Sequence, residues 1–410
     1  MRESAYRAHR DAGDQRGAAR LAMALAFDHA TFRGEEAVAQ GWLELASRAL
    51  AGLELVPEHG LLATWEADFA IEAADTDLAE QKAARAIEIG VEVGDADVEL
   101  MGRAQEGLVK VVRGDVDAGM RLLDASAAAA VAGEFHDPAF AGYACCYLIS
   151  VCSLVRDLDR AAQWCAELDP HCARVGYHSL QHLCRVEYAG VLVEQGDWIR
   201  AETEMLTAAQ FLGTRRPPKA VEAIVRLGEL RRRQGRVDEA TERFKQAEGH
   251  PKATLGLGAI ALNAGDGARA VDVAEMYLRQ FGPHDRIGRF GGMELLANAQ
   301  AVIGDLDAAL TTLEELRTTV ASMSREPLVA AVRQLDGTLL LAAGDPAASR
   351  GAVEDAVHLY DRAGAPFGAA RARALLGRVF LAAGDTQAAE REAKAAASAF
   401  DHLGAVADAE

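Results

Sequence analysis

Apolar residues recur at helical spacing along the whole chain, and short polar breaks interrupt them in a regular way. Leu375, Leu376, Val379 and Phe380 share one helical face just before such a break. Ala388, Ala389 and Ala393 follow it at the spacing of a second helix with a small-residue face. The break itself is a dipeptide mark, seen as Gly114-Asp115, Gly196-Asp197, Gly265-Asp266, Gly304-Asp305, Gly344-Asp345 and Gly384-Asp385. Degenerate copies stand at Gly34-Glu35, Ala74-Asp75, Arg156-Asp157 and Gly235-Arg236. Successive marks lie about 40 residues apart, within the range of helical repeats. One step, from Arg236 to Asp266, is shorter.

Glycine can take the left-handed conformation that ends a helix, and aspartate can cap the helix that follows. Each mark therefore predicts a tight turn inside a helical hairpin. A chain of such hairpins is an all-α superhelical solenoid with a period near 40 residues. It reads as one continuous stack, with N-terminal repeats over 1–250 and C-terminal repeats over 251–410. Gly249-His250-Pro251 cuts into the pattern. Proline breaks a helix interior, so truncated helices or a kink are expected over 249–262. Gly256 and Gly258 lack the strand and third glycine of a dinucleotide-binding turn and are read as close helix packing.

The residues resemble the tetratricopeptide-repeat family. Leu376-Gly377, Phe380 and Ala389 fit its pattern, as do Leu227-Gly228, Ala240, Phe244 and Ala247, with Arg231 where the aromatic should stand. The longer period is taken up between hairpins, as in the segment from Tyr360 to Phe367 and its partial echo from Phe400 to Ala405. A narrower resemblance, to the repeat region of LuxR-type and MalT-like bacterial transcriptional regulators, runs from about Ala5 to Ala405. It is carried by the opening from Ala5 to Leu50, by Tyr147 to Cys172 and by Leu183 to Trp198. The resemblance implies a sensor module that binds a small-molecule effector, a peptide or a protein and acts through a helix-turn-helix DNA-binding domain outside this chain. No G-x-x-x-x-G-K-[ST] loop is present, so it does not extend to nucleotide binding. A stand-alone scaffold that holds a peptide or partner protein in its concave groove is the alternative reading.

Composition narrows the partners. The chain of 410 residues has a formal net charge of −19, which opposes nucleic-acid phosphates and anionic membranes. The pairs and triplets Arg215-Arg216 and Arg231-Arg232-Arg233 are read as surface arginines facing nearby glutamates, not as a nucleic-acid patch. No apolar run approaches a membrane span, and the first residues have no apolar core of a secretory signal. A cytoplasmic chain is expected, with no cofactor; a homodimer is compatible. No G-x-S-x-G elbow or H-E-x-x-H pair occurs, so the chain is not read as an enzyme.

Candidate chemistry falls in two places. Cys145, Cys146, Cys152, Cys165, Cys172 and Cys184 cluster near His171, His178 and His182. His178 and His182 share a helical face, but no C-x-x-C pair exists, so buried packing is favoured over redox sensing or a metal. The second place is the concave face. Counting back from each turn puts Trp65, Asp68, Gln105, Tyr143, Cys146, Tyr147, Ser150, Glu187, Arg226, Glu229 and Asn298 on it. Aromatics beside polar groups suit a ligand site, and all but Asn298 are taken as candidate ligand residues, with Tyr143 and Tyr147 near its centre. The C-terminal repeats offer Ala331, Ala374 and Leu375, which suit packing better than recognition.

Overall fold

The computed structural model describes residues 1–175, 178–215, 217–321, 323 and 325–405; side chains at 169, 171–175, 178–180 and 215 are outside that description. Among the described residues there are twenty-one α-helices, one π-helical turn at His29–Arg33 and no strand. Most helices run to 16–18 residues, as do Pro57–Glu72, Ala96–Val112 and Pro366–Ala382. The fold is the tetratricopeptide-type superhelical solenoid of helical hairpins.

All ten marks read from the sequence turn the chain through positive φ, from Gly34 at 68° to Gly384 at 83°. The bonding is that of a helix ended by a left-handed residue. At the Gly114 turn, Asp115 N–H donates to Lys110 O at 2.9 Å and Gly114 N–H to Val111 O at 2.8 Å. The next residue then starts the following helix. Asp14, Asp75, Asp95, Asp115, Asp266, Asp345 and Asp385 each accept, through a carboxylate oxygen, the backbone N–H three residues on.

Two marks hold this conformation without glycine: Ala74 at φ 57° and Arg156 at φ 56°. A Cβ there costs about 1–2 kcal/mol, against about 0.4–1 kcal/mol for the extra chain entropy that glycine loses on folding. Ala74→Gly should therefore stabilise the protein by about 0.5–1 kcal/mol. A rise in the denaturant midpoint checks this, and a fall would show that the Ala74 methyl is doing packing that outweighs its strain.

The chain divides into two compact units. The first comprises Met1–Val151, Cys165–Cys184 and Ala208–Val221, and the second Cys152–Trp164, Arg185–Thr207 and Glu222–Glu410. In the first, small residues set the spacing. Ala18, Ala19, Ala22, Ala39 and Ala46 are almost fully buried beside Met23, Leu43 and Leu50. A Cβ on Gly119 would fall 2.4 Å from the carbonyl oxygen of Gly107, so the helices Ala96–Val112 and Val116–Ala132 meet backbone to backbone.

In the second unit, Val353, Leu375, Leu376 and Val379 form one core cluster with Phe380 against it. Ala388 and Ala389 are buried, whereas Ala393 is exposed; only its backbone lies against Gly377. Around Gly249 the helices are short: Val237–Gln246 has 10 residues, Pro251–Asn263 has 13 and Gly267–Leu278 has 12. Gly249 turns at φ 88°, and Pro251 opens the next helix, where its missing N–H does no harm. Gly256 and Gly258 are packing glycines. Phe244 lies where a Gly256 Cβ would be, at 2.2 Å, and Leu295 sits 2.4 Å from a Cβ on Gly258.

Candidate ligand-binding site

The second unit encloses a cavity of about 390 Å³, within the usual range for ligand sites. Leu255, Leu262, Phe290, Leu295 and Tyr277 give it apolar wall. Its charged groups are Arg156, Arg226, Arg232, Arg233, Lys252 and Arg371 against Glu194, Glu229 and Glu294. Cations thus outnumber carboxylates on this wall, although the chain as a whole carries −19.

Most of these charges neutralise one another. Arg226 is 8% exposed; its Nε donates to Glu222 at 2.8 Å, its Nη2 to Glu187, and its Nη1 to Ser153 Oγ at 3.4 Å. At Glu222 and Glu229 burial works against the charge, and partners override it. Burial alone would raise Glu222, yet Lys252, Arg226 and His250 hold it well below the ordinary carboxylate range. Glu229 is opposed by burial in the same way and is pulled down to about 2 by Arg232 and Arg233. Glu229 accepts from Arg232 at 2.7 Å and from Arg233 at 2.8 Å. Arg233 also donates to Glu194.

Two groups are left over. Arg233 Nη1 is buried with no hydrogen-bond partner among the described residues. Arg371, exposed on helix Pro366–Ala382, lines the cavity with no ion-pair partner among the described residues. Arg156 is lightly held, 3.5 Å from Glu294 and 5.8 Å above the Phe290 ring.

The candidate residues from the sequence fall into two sets. Glu187, Arg226, Glu229 and Asn298 belong to the second unit. Arg226, Glu229 and Asn298 line the cavity, and Asn298 Nδ2 donates to Glu294 O at 2.8 Å. Glu187 stands behind, as the partner of Arg226.

Trp65, Asp68, Gln105, Tyr143, Cys146, Tyr147 and Ser150 belong to the first unit. There Trp65 meets Phe27 at 5.3 Å, Phe140 at 6.1 Å and Tyr143 at 6.2 Å, and Tyr143 meets Tyr147 at 6.5 Å. Tyr147 OH donates to Asp68 Oδ1. Gln105 is fully buried and its Nε2 donates to Thr64 O at 2.8 Å. Cys146 Sγ lies 2.8 Å from Cys184 Sγ. Ser150 is half-buried.

Some sequence readings need correcting. Arg231, Arg232 and Arg233 do face glutamates, namely Glu202, Glu229 and Glu194, but none is an exposed surface group: Arg231 is buried and Arg232 and Arg233 are half-buried, with side chains 8%, 13% and 13% exposed. The side chains of His171, Cys172 and His178, with Arg215 and all of Arg216, lie outside the described ones. His182 stacks on Phe211 at 4.2 Å, and Cys145, Cys152 and Cys184 are buried. Arg156, Glu194, Glu294 and Arg371 were not reached by the inner-face count. The non-glycine residue in a glycine mark was the one signal that set Arg156 apart.

No protein-family model and no curated protein matches the sequence. Solved structures do match in shape. A Rap protein complexed with Competence and Sporulation Factor aligns at a TM-score of 0.57 and 13% identity, over 85% of this chain and 99% of that one. The APC/C hetero-tetramer Cut9-Hcn1 aligns at 0.52 and 12%, over 96% of this chain and 79% of that one. NprR in complex with its cognate peptide NprX reaches 0.47 and 13%, over 62% and 78%. The fold is shared. No described helix is long and apolar enough to cross a membrane.

Proposed function

We propose that this chain is the effector-binding tetratricopeptide-repeat module of a LuxR-type regulator, and that a peptide or small organic effector seats in the cavity of the second unit. The carrying observation is Arg371, which has no ion-pair partner among the described residues, on a cavity whose other charges are largely neutralised among themselves. Such a guanidinium beside apolar wall favours a ligand that brings a carboxylate of its own. The Rap structure, complexed with Competence and Sporulation Factor, supports effector binding on this fold. The sequence resemblance to regulator repeat regions supports the wider role.

A thermal-shift screen of short peptides and small organic acids tests the reading. A stabilising ligand is expected, and Arg371→Ala should weaken it about tenfold or more, as for a charge-assisted hydrogen bond. Unchanged affinity would move the site elsewhere. The Cut9-Hcn1 assembly favours a second reading, a scaffold for a protein partner. A flat screen together with one dominant protein captured by the purified chain would decide for it.

A further inference from the structure

The first unit carries a cluster that the cavity does not use. Aromatic residues make up only 6% of the chain, yet Phe27, Trp65, Phe140, Tyr143 and Tyr147 stand in one connected group. Trp65 and Tyr143 are half-buried. Asp68 lies one helical turn from Trp65, on the same helix Pro57–Glu72. It is half-buried and accepts from Tyr147 OH, but no cation pairs with it among the described residues. Lys219 is near, and it donates to Glu72 instead. Gln105 Oε1 is buried with no donor among the described residues. The cluster therefore holds aromatic rings, a buried acceptor without a donor and a carboxylate without an ion-pair partner among the described residues.

We infer that the first unit contains a site for an organic cation, an ammonium or guanidinium on an apolar stem, seated against Trp65 and Tyr143 and paired with the Asp68 carboxylate. Ring faces attract cations, and a partly desolvated carboxylate gives the pair its direction and strength. The site goes beyond the effector cavity, since it lies wholly in the other unit.

The charge state of Asp68 gives the site a pH signature. Burial comes first and the neighbouring Glu72 second in raising Asp68 to about 6, while Tyr147 and Lys219 pull the other way. Gln105 is the further polar group here, buried on helix Ala96–Val112. A bound cation favours the ionised form, so binding tightens as pH rises through this value. The gain from about pH 5 to about pH 7.5 should approach tenfold.

The test follows the indole N–H resonance of Trp65, assigned with Trp65→Phe, in the full chain. The probes are acetyl-arginine amide within a short blocked peptide and free phenethylamine, each with its neutral counterpart, the citrulline peptide and phenylethanol. Saturable shifts are expected for cations and not for neutral probes at concentrations up to about 10 mM. Asp68→Asn should weaken binding about tenfold or more and flatten its pH dependence. A response to the peptide alone assigns the cation to a peptide side chain; a response to phenethylamine alone assigns it to a free amine. No shift with either cation, or equal shifts with the neutral probes, overturns the site. If Asp68→Asn fails to fold, the pH titration of the native chain decides, and a flat profile counts against the proposal. Because the readout is Trp65, the outcome does not depend on whether Arg371 and its cavity bind anything.

Discussion

Arg226→Met should destabilise the protein by about 3–5 kcal/mol, the usual loss when one partner of a buried ion pair is removed. The guanidinium serves two carboxylates on different turns of the chain, Glu187 and Glu222. Removing it leaves Glu222 with Lys252 and with His250 at 3.0 Å. Glu187, with a side chain 16% exposed, loses its ion-pair partner among the described residues. The site is also shaped for this guanidinium: a Cβ on Gly190 would fall 1.8 Å from Arg226 Nη1. Arg226→Lys should not rescue the fold, because an ammonium cannot reproduce a fork that reaches both carboxylates.

Acid should narrow the gap between Arg226→Met and the native chain. Glu222 is held below its ordinary range in the folded state, in part by Arg226. That stabilisation is present above the unfolded carboxylate pKa and is lost as pH falls toward the folded value. Denaturant unfolding at neutral and mildly acidic pH measures both effects. A loss under about 1 kcal/mol at neutral pH, the scale of an exposed pair, would show that water already reaches the network. Arg226, a candidate ligand residue by position, lines the cavity and is held by Glu187 and Glu222, while Arg371 has no ion-pair partner among the described residues.

Phe244→Ala should cost about 3–5 kcal/mol, the range for emptying a fully buried aromatic site. The ring is 0% exposed and is gripped between two glycines: added Cβ atoms would fall 2.8 Å from it at Gly228 and 2.2 Å at Gly256. Both glycines lie in helices, so neither gap can close without moving a backbone. The converse change, Gly256→Ala, overpacks the same contact and should cost about 1–3 kcal/mol. Because Gly256 also lines the cavity, either substitution should disturb ligand affinity along with stability. Equilibrium unfolding of the two variants and the double variant checks the coupling. A double variant no worse than Phe244→Ala would show that the methyl fills the space the ring leaves; strict additivity would contradict direct packing.

The turns were legible in the sequence because their causes are local. Positive φ favours glycine, and an Asp that follows reaches the N–H three residues on; both facts concern one short stretch of chain. That is why even Ala74 and Arg156, which lack glycine's freedom, were found by spacing alone. The helical faces were legible for the same reason, as were Gly256 and Gly258 as packing positions. Ala393 was not, since small size permits burial without requiring it.

Tertiary structure alone decided which polar groups remain available to a ligand. Position on a helical face gave Arg226, Glu229 and Asp68 the same standing in the sequence and did not single out Arg371. Long-range pairing separated them: Arg226 is taken up by Glu187, 39 residues away, and Arg233 by Glu194, also 39 away. Arg156 reaches Glu294 across 138 residues, a distance no local pattern encodes. Hydrogen bonding and ion pairing saturate, so a residue's chemistry depends on which partners arrive first in space. A repeat sequence fixes each hairpin; the stacking of hairpins determines which charges meet, and it left Arg371 with no ion-pair partner among the described residues.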